Sequence, residues 1–389
     1  MSTSYYEPMS EDELNDGESD RYSVASGSFS NFSARKTATT DTDMHSIRST
    51  SPTRSVMSMT DSLRAAAYRH EYGRGLNNYS EVYSLPADEE ELERLDKQHI
   101  MFTEVMGKYV PPLYEVLADT PGEHKACVDL GCGSGSWILD VARDFPHVST
   151  VAVDLVPMQV LNMPPNCSVR SEVDDVNLGL QHFYGEFNVV HARLISSGVR
   201  LVFGPHILPS RSANPLTIQI RDYCGLVDHI ALALRPRGLV DLTEFDFRVY
   251  GPDHRPIPLQ ENAPAIAKWM DLARRAVHHR GGEPDAANHL YRWINDHPSF
   301  EEVVYHEWWF QISPWRPGKD AQSLWMNRHG ASMRDDIFSF MRSGRPLILG
   351  AGIPQYIVDP LEEAAARELS ENRVQGYIRV ENAYGRRKP

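Results

Sequence analysis

The chain has 389 residues, with 39 Lys plus Arg against 53 Asp plus Glu, and carries a formal charge of −14. A hydrophobic fraction of 41% can bury a real core, and the length allows one large or two modest domains. The acidic balance argues against direct nucleic-acid binding, which needs a local surplus of Lys and Arg, and against a polybasic membrane anchor.

No stretch approaches the roughly 20 apolar residues that span a bilayer, and the acidic N-terminus lacks the layout of a signal peptide. The expectation is a soluble, intracellular protein. Cys127, Cys132, Cys167 and Cys224 form no Cys-x-x-Cys pair, so neither a disulfide framework nor a structural zinc site is expected.

Through about residue 62, more than a third of positions are Ser or Thr, and no apolar periodicity persists. This reads as a disordered tail, in which Arg48-Ser49-Thr50-Ser51-Pro52-Thr53-Arg54 suits either phosphorylation or an inert linker. Order is expected from Asn77, leaving 1–76 as tail. Asp88 can cap a helix whose first turn, Glu89-Glu90-Glu91, suits the positive end of the helix dipole. Residues 1–62 hold 10 acids and 5 bases, and residues 88–104 hold 7 and 2, so most of the net charge belongs to these two segments. A second short helix is expected at Leu113 to Ala118.

From residue 126, apolar runs alternate with helical segments, the rhythm of a parallel sheet covered on both faces. The expected strands are Ala126–Leu130, Ser149–Asp154, Ser168–Glu172, Phe187–His191 and Leu239–Glu244. Trp137–Phe145 and Thr217–Leu234 read as helices, the latter ended by a turn at Arg235-Pro236-Arg237-Gly238. Further on, a helix is expected over Pro264–His279, a β-rich run over Glu302–Ile312, helix to about Leu369 and a last strand at Gly376–Tyr384. The helical stretches, about 250–300 and 314–370, read as cap insertions.

The most informative stretch is Val128-Asp129-Leu130-Gly131-Cys132-Gly133-Ser134-Gly135-Ser136-Trp137. A buried strand runs into a turn with Gly131, Gly133 and Gly135 at alternate positions, and a helix follows at once. Such glycines let backbone approach a ligand, and the helix start offers unpaired N–H groups. A dinucleotide fingerprint would read G-x-G-x-x-G, but Ser136 stands where its third glycine belongs. Asp129 beside a pyrophosphate would be repulsive, whereas beside an ammonium or sulfonium it is favourable. The cation-bearing ligand that fits is S-adenosylmethionine.

Two further marks agree. Asp154 closes the second strand about twenty residues on, where a carboxylate can accept from both ribose hydroxyls. Asp174 and Asp175 follow the third strand, where an Asp can take the adenine amino group while Leu155 and Val176 sandwich the ring.

The glycine loop and strand order resemble a class I, Rossmann-like methyltransferase, and the flanking segments resemble the LaeA-type branch of fungal methyltransferases. The closer likeness lies in Tyr83-Ser84-Leu85-Pro86-Ala87-Asp88-Glu89-Glu90-Glu91, in Arg94-Leu95-Asp96-Lys97-Gln98-His99, in Phe187-Asn188-Val189-Val190-His191-Ala192-Arg193 and in the C-terminal Gly376 to Arg387. It spans residues 77–387. The resemblance implies a seven-stranded α/β sheet whose last strand runs antiparallel into the edge, with the acidic helix at 88–108 as a lid. It also implies either methylation of a small-molecule or protein acceptor, linked to secondary metabolism, or a regulatory role through velvet-type partners in the nucleus or cytoplasm.

Methyl transfer needs alignment and exclusion of water, and a general base only when the acceptor must lose a proton. His191, at the carboxyl edge of the sheet, is a candidate base, a contact for the cofactor's methionine part or a structural hydrogen-bonder. Glu244 and Asp246 are expected to face the same cleft, with Arg193 as a binder of a substrate carboxylate or the partner of an acid. Gln98 and His99 are weaker candidates. Trp269, Trp293, Trp308, Trp309, Trp315 and Trp325 form either an acceptor pocket or the core of the cap. His278-His279 has no carboxylate partner at ligand spacing, so no metal is expected.

Overall fold

A computed structural model of the chain describes residues 67–158, 167–201 and 222–389, all within one compact unit, Thr53–Pro389. The Ser/Thr-rich segment, its Ser-Pro motif and the expected helix start at 217–221 lie outside the described residues.

Order begins earlier than Asn77. Residues 68–77, of which all but Asn77 were expected in the tail, form an antiparallel hairpin of β1 (Tyr68–Glu71) and β2 (Arg74–Asn77). Tyr72 and Gly73 both take positive φ at its tip. The strands are short and only partly apolar, which hid them in a polar sequence. Asp88 ties this hairpin to helix α1 (Glu89–Met106): its carboxylate accepts from the Glu91 N–H as N-cap, accepts from the Gly75 N–H and pairs with Arg74 at 2.7 Å. Burial would raise this carboxyl, but Arg74 and the two N–H groups hold it below the usual range.

After the short α2 (Pro112–Val116), the sheet begins with β3 (Ala126–Leu130), buried at every position as a central parallel strand requires. It is followed by α3 (Ser136–Asp144), β4 (Ser149–Asp154), β5 (Val169–Val173), β6 (Phe187–Arg193), α4 (Tyr223–Ala233) and β7 (Leu234–Phe245). The C-terminal part adds α5 (Ala265–His279), α6 (Leu290–Asn295), β8 (Phe300–Gln311), α7 (Ala321–Gly350), α8 (Gln355–Ser370) and β9 (Tyr377–Arg387).

The seven strands lie in the order β5-β4-β3-β6-β7-β9-β8. The first five are parallel, and β9 is antiparallel to both of its neighbours. The last strand is therefore antiparallel as expected, but it lies one place in from the edge, which β8 occupies. Arg235–Gly238 is a second departure: these residues form a bulge within β7, opposite Asn188, where Arg237 takes φ 63° and the pairing slips between Phe187 and Val189. The strand continues through the bulge because Leu234 still pairs with Phe187.

The chain enters the sheet at β3 and leaves in opposite directions toward β4 and β6. That reversal opens a crevice at the carboxyl ends of β3 and β6, where open α/β sheets bind ligands. A separate apolar cluster, built from α5, α7, α8 and the ends of β7 and β9, closes one side of it.

Candidate active site

The glycine loop is held from below. Gly131 and Cys132 donate their N–H groups to the Val153 carbonyl, and Gly133 donates to Asp154 Oδ2 at 2.9 Å. Gly131 has φ 69°, and a Cβ there would run into Ile195; Gly133 has φ 55°, and a Cβ there would come within 2.8 Å of Leu95 on α1. The loop is thus tight against β6's exit loop on one side and α1 on the other, which only glycine allows.

One cavity gathers most of the predicted residues. Asp129, Gly131, Gly133, Asp154, Leu155, Asp174, Asp175, Val176 and His191 all line it, as do Gln98 and Arg193. Asp129 and His191 are Cα partners across the switch point, and His191 Nδ1 lies 2.7 Å from Asp129 Oδ1. The imidazole stacks on Trp137 with ring centres 3.7 Å apart and planes 7° from parallel. Asp154 is half-buried, and burial pushes its carboxyl up to about 6 against the opposing pull of the Gly133, Val156 and Leu155 N–H groups. Asp174 is also raised by burial. Asp175 caps the turn that follows β5, accepting from the Asn177 backbone N–H and side-chain amide.

Several expectations need correction. Gly135 is not on the cavity wall; it starts α3 with φ 81°, and its open side faces Met158. Glu244 does not face the cavity either. Its Oε1 accepts from the Ile195 and Ser196 N–H groups and from the Tyr223 hydroxyl, and burial raises its carboxyl to about 7. That geometry makes Glu244 the support of the loop after β6, not a base in the cleft. Asp246 is turned away as well, paired with Arg248 at 3.1 Å and Arg379 at 3.0 Å. His99 stands behind the wall, between Arg193 and Asp140. None of the six late tryptophans lines the cavity; Trp269 is fully buried in the cap core, and the only tryptophan on the wall among the described residues is Trp137.

The far half of the cavity was not visible in the sequence. Phe245, Phe247 and Phe340 cluster with ring centres 4.2 to 6.2 Å apart, and Phe102, Met270 and Met333 complete an apolar chamber. Its roof is fastened by a buried network in which Arg94 pairs with Glu91 at 2.6 Å and with Asp336 at 2.9 Å, while Gln98 donates to Asp336 at 3.0 Å. Only the pairing of Glu91 with Arg94, three residues apart on one helix face, could have signalled it from sequence. Among the described residues, no group of three or more His, Cys, Asp or Glu side chains is arranged to hold a metal, and no helix is long and apolar enough to cross a membrane.

The wall fits a methyl donor on its own terms. Two glycines leave room for backbone contact, Asp129 supplies negative charge, and Asp154 is a half-buried acceptor with no cationic partner among the described residues, suited to hydroxyl donors. No family model matches the chain. The secondary metabolism regulator laeA of Coprinopsis cinerea is 42% identical over 325 residues, 82% of this chain and 74% of that protein. The chain belongs to the LaeA family. Another LaeA relative, the protein-methionine methyltransferase laeA of Emericella nidulans, is 26% identical over 283 residues, 63% of this chain and 72% of that protein. Among solved structures, phosphoethanolamine N-methyltransferase 2 of Haemonchus contortus, in complex with S-adenosylhomocysteine, is 14% identical with a TM-score of 0.37, covering 76% of this chain and 57% of that one. In this LaeA-family chain, S-adenosylmethionine held by that wall would supply an electrophilic methyl group. The protein's own part is to hold the donor and aim the acceptor.

Proposed function

We propose that the protein methylates an acceptor that needs no proton removed, with the thioether of a methionine side chain as its best match. The observation that carries this reading is the far half of the chamber: it is lined by Phe102, Phe245, Phe247, Phe340, Met270 and Met333, while the carboxylates at its roof, Glu91 and Asp336, are taken up by Arg94, and His191 is taken up by Asp129. Sulfur packs favourably against aromatic rings, and a thioether attacks with a lone pair it already has. The name of the Emericella relative points to the same acceptor chemistry.

In this reading the cofactor-binding set is Asp129, Gly131, Gly133, Asp154, Leu155, Asp174, Asp175 and Val176, and His191 fixes the carboxylate of Asp129. Helix α1 acts as the lid, since Leu95 and Phe102 close the cavity over the glycine loop. Residues 77–387 then form one methyltransferase domain with a helical cap, in which the hairpin before it braces the lid.

The test is label transfer from the methyl donor to cell extract, separated into small-molecule and protein fractions, with the labelled protein residue identified. Label on methionine supports the proposal; label on a hydroxyl or carboxyl group contradicts it. A second reading, regulation through velvet-type partner proteins in the nucleus or cytoplasm, is favoured by the regulator name of the Coprinopsis relative. Tight binding of S-adenosylhomocysteine with no label in either fraction would select it.

A further inference from the structure

Arg193 is the last residue of β6 and reaches into the cavity, yet no carboxylate among the described residues lies within ion-pair distance of its guanidinium. Its supports are uncharged. Nη2 donates to His99 Nδ1 at 3.1 Å, and the guanidinium carbon lies 5.4 Å from the centre of the Phe102 ring. Because an arginine does not release its proton, His99 Nδ1 must accept, so the ring hydrogen is on Nε2 and is donated to Asp140 Oδ2 at 3.1 Å. His99 is therefore a neutral spacer. It fixes the guanidinium without neutralising it, and Asp140 is engaged elsewhere by Lys108 and Arg143.

The contrast with Arg94 is instructive. That guanidinium, at the roof of the same cavity, is met by both Glu91 and Asp336. Arg193 is left with only the distant pull of Asp129, Asp241 and Asp140, and burial holds it below the usual guanidinium range. A half-buried cation facing a cavity without a counter-charge is a ready partner for a ligand that brings one. Asp129, next to the last residue of β3, and Arg193, the last of the adjacent β6, both line the cavity at the switch point, one negative and one positive. An amino-acid group, with its ammonium toward Asp129 and its carboxylate toward Arg193, matches that pair in sign and order.

We infer that Arg193 anchors the carboxylate of the methyl donor's amino-acid end, with His99 and Asp140 as the residues that position it. The inference rests on the cofactor reading above. It also limits the donor to one that carries a free α-carboxylate.

The test compares two ligands by calorimetry. S-Adenosylhomocysteine carries the carboxylate; 5′-methylthioadenosine keeps the nucleoside and sulfur but lacks the amino-acid group. Binding of either ligand by wild type tests the cofactor site itself, independently of Arg193. Arg193→Met, which keeps an apolar stem over Phe102, is expected to weaken S-adenosylhomocysteine by about ten- to a hundredfold, the worth of a charge-assisted contact, and to leave 5′-methylthioadenosine within about twofold. Arg193→Lys should recover part of the loss. His99→Leu should show the same selectivity to a smaller degree, whereas a merely structural role would weaken both ligands alike. Unchanged S-adenosylhomocysteine affinity in Arg193→Met overturns the inference and would assign the guanidinium to an acceptor carboxylate. Equal losses for both ligands overturn it as well.

Discussion

His191 Nδ1 and Asp129 Oδ1 meet at 2.7 Å across the switch point of the sheet, both buried, with Trp137 stacked on the imidazole. The acid that precedes the glycine loop is therefore pinned by a neighbouring strand before any ligand arrives. His191→Leu would leave the Asp129 carboxylate buried with one oxygen unpaired and remove the stack on Trp137, a loss of about 2–4 kcal/mol. Asp129→Asn combined with His191→Leu should cost less than the sum of the two single changes by about 1–2 kcal/mol, because they break the same contact. Urea unfolding of the four proteins measures this. Strict additivity would show that the two side chains do not depend on one another.

The Asp154 carboxyl, raised by burial to about 6, gives the cofactor site a pH dependence of known sign. Ribose hydroxyls donate to the ionised form, so binding must drive off the proton wherever the free protein holds one. Affinity for S-adenosylhomocysteine should be level above about pH 7 and fall by up to about tenfold per pH unit below 6. Asp154→Asn should bind weakly at every pH, without that slope. A wild-type affinity that stays flat from pH 8 to pH 5 would contradict the assignment of Asp154 to the ribose.

Glu244 makes a different prediction, about stability. Its carboxyl is raised from 4.5 to about 7 by burial, so the protonated form suits the folded state and the charged form does not. Its contribution is present in full below pH 4.5 and is lost as pH rises through 7. Between pH 5 and pH 8 this amounts to roughly 3 kcal/mol. Glu244→Gln keeps an acceptor for the Ile195 and Ser196 N–H groups and removes the titration. Unfolding free energies of the two proteins should therefore diverge in the acid range, with wild type gaining relative to Glu244→Gln as pH falls from 8 to 5. Parallel curves would place the charge elsewhere.

What the sequence revealed and what it hid divide along contact distance in the chain. Ala126–Leu130, Ser149–Asp154 and the Asp88 cap were legible to the residue, because burial periodicity and capping are local signals. Gly131, Gly133 and Asp154 could be expected on one cavity wall because a strand, a turn and a helix lie in succession. The chamber was not, since Phe102, Phe245, Met270 and Phe340 come from four elements and each reads as ordinary core. Glu244 was misread for a related reason: a strand-end carboxylate has the same sequence signature whether it faces a cleft or caps a neighbouring loop. The bulge at Arg235–Gly238 shows the converse, where Pro and Gly signalled a turn but the strand pairing absorbed the extra residues.

Arg94 and Asp336 are 242 positions apart and join the acidic helix α1 to α7 over the chamber. Burial alone would lower the Arg94 pKa, but Glu91 and Asp336 together hold it above the usual guanidinium range. Arg94→Met would strand two buried carboxylates at once, at a cost of about 3–5 kcal/mol. It would also loosen the helix that carries Leu95 and Phe102, so S-adenosylhomocysteine affinity should fall with stability. Neutralising all three, as Glu91→Gln, Arg94→Met and Asp336→Asn in one chain, removes the stranded charges and should recover most of the unfolding free energy. If α1 owes its closed position to this ion pair, affinity stays low in the triple variant although stability returns. If packing of Leu95 and Phe102 holds it, affinity returns as well. Denaturant unfolding and calorimetry on the same three proteins separate the two, and full stability in Arg94→Met alone would refute the network's role in fastening the roof.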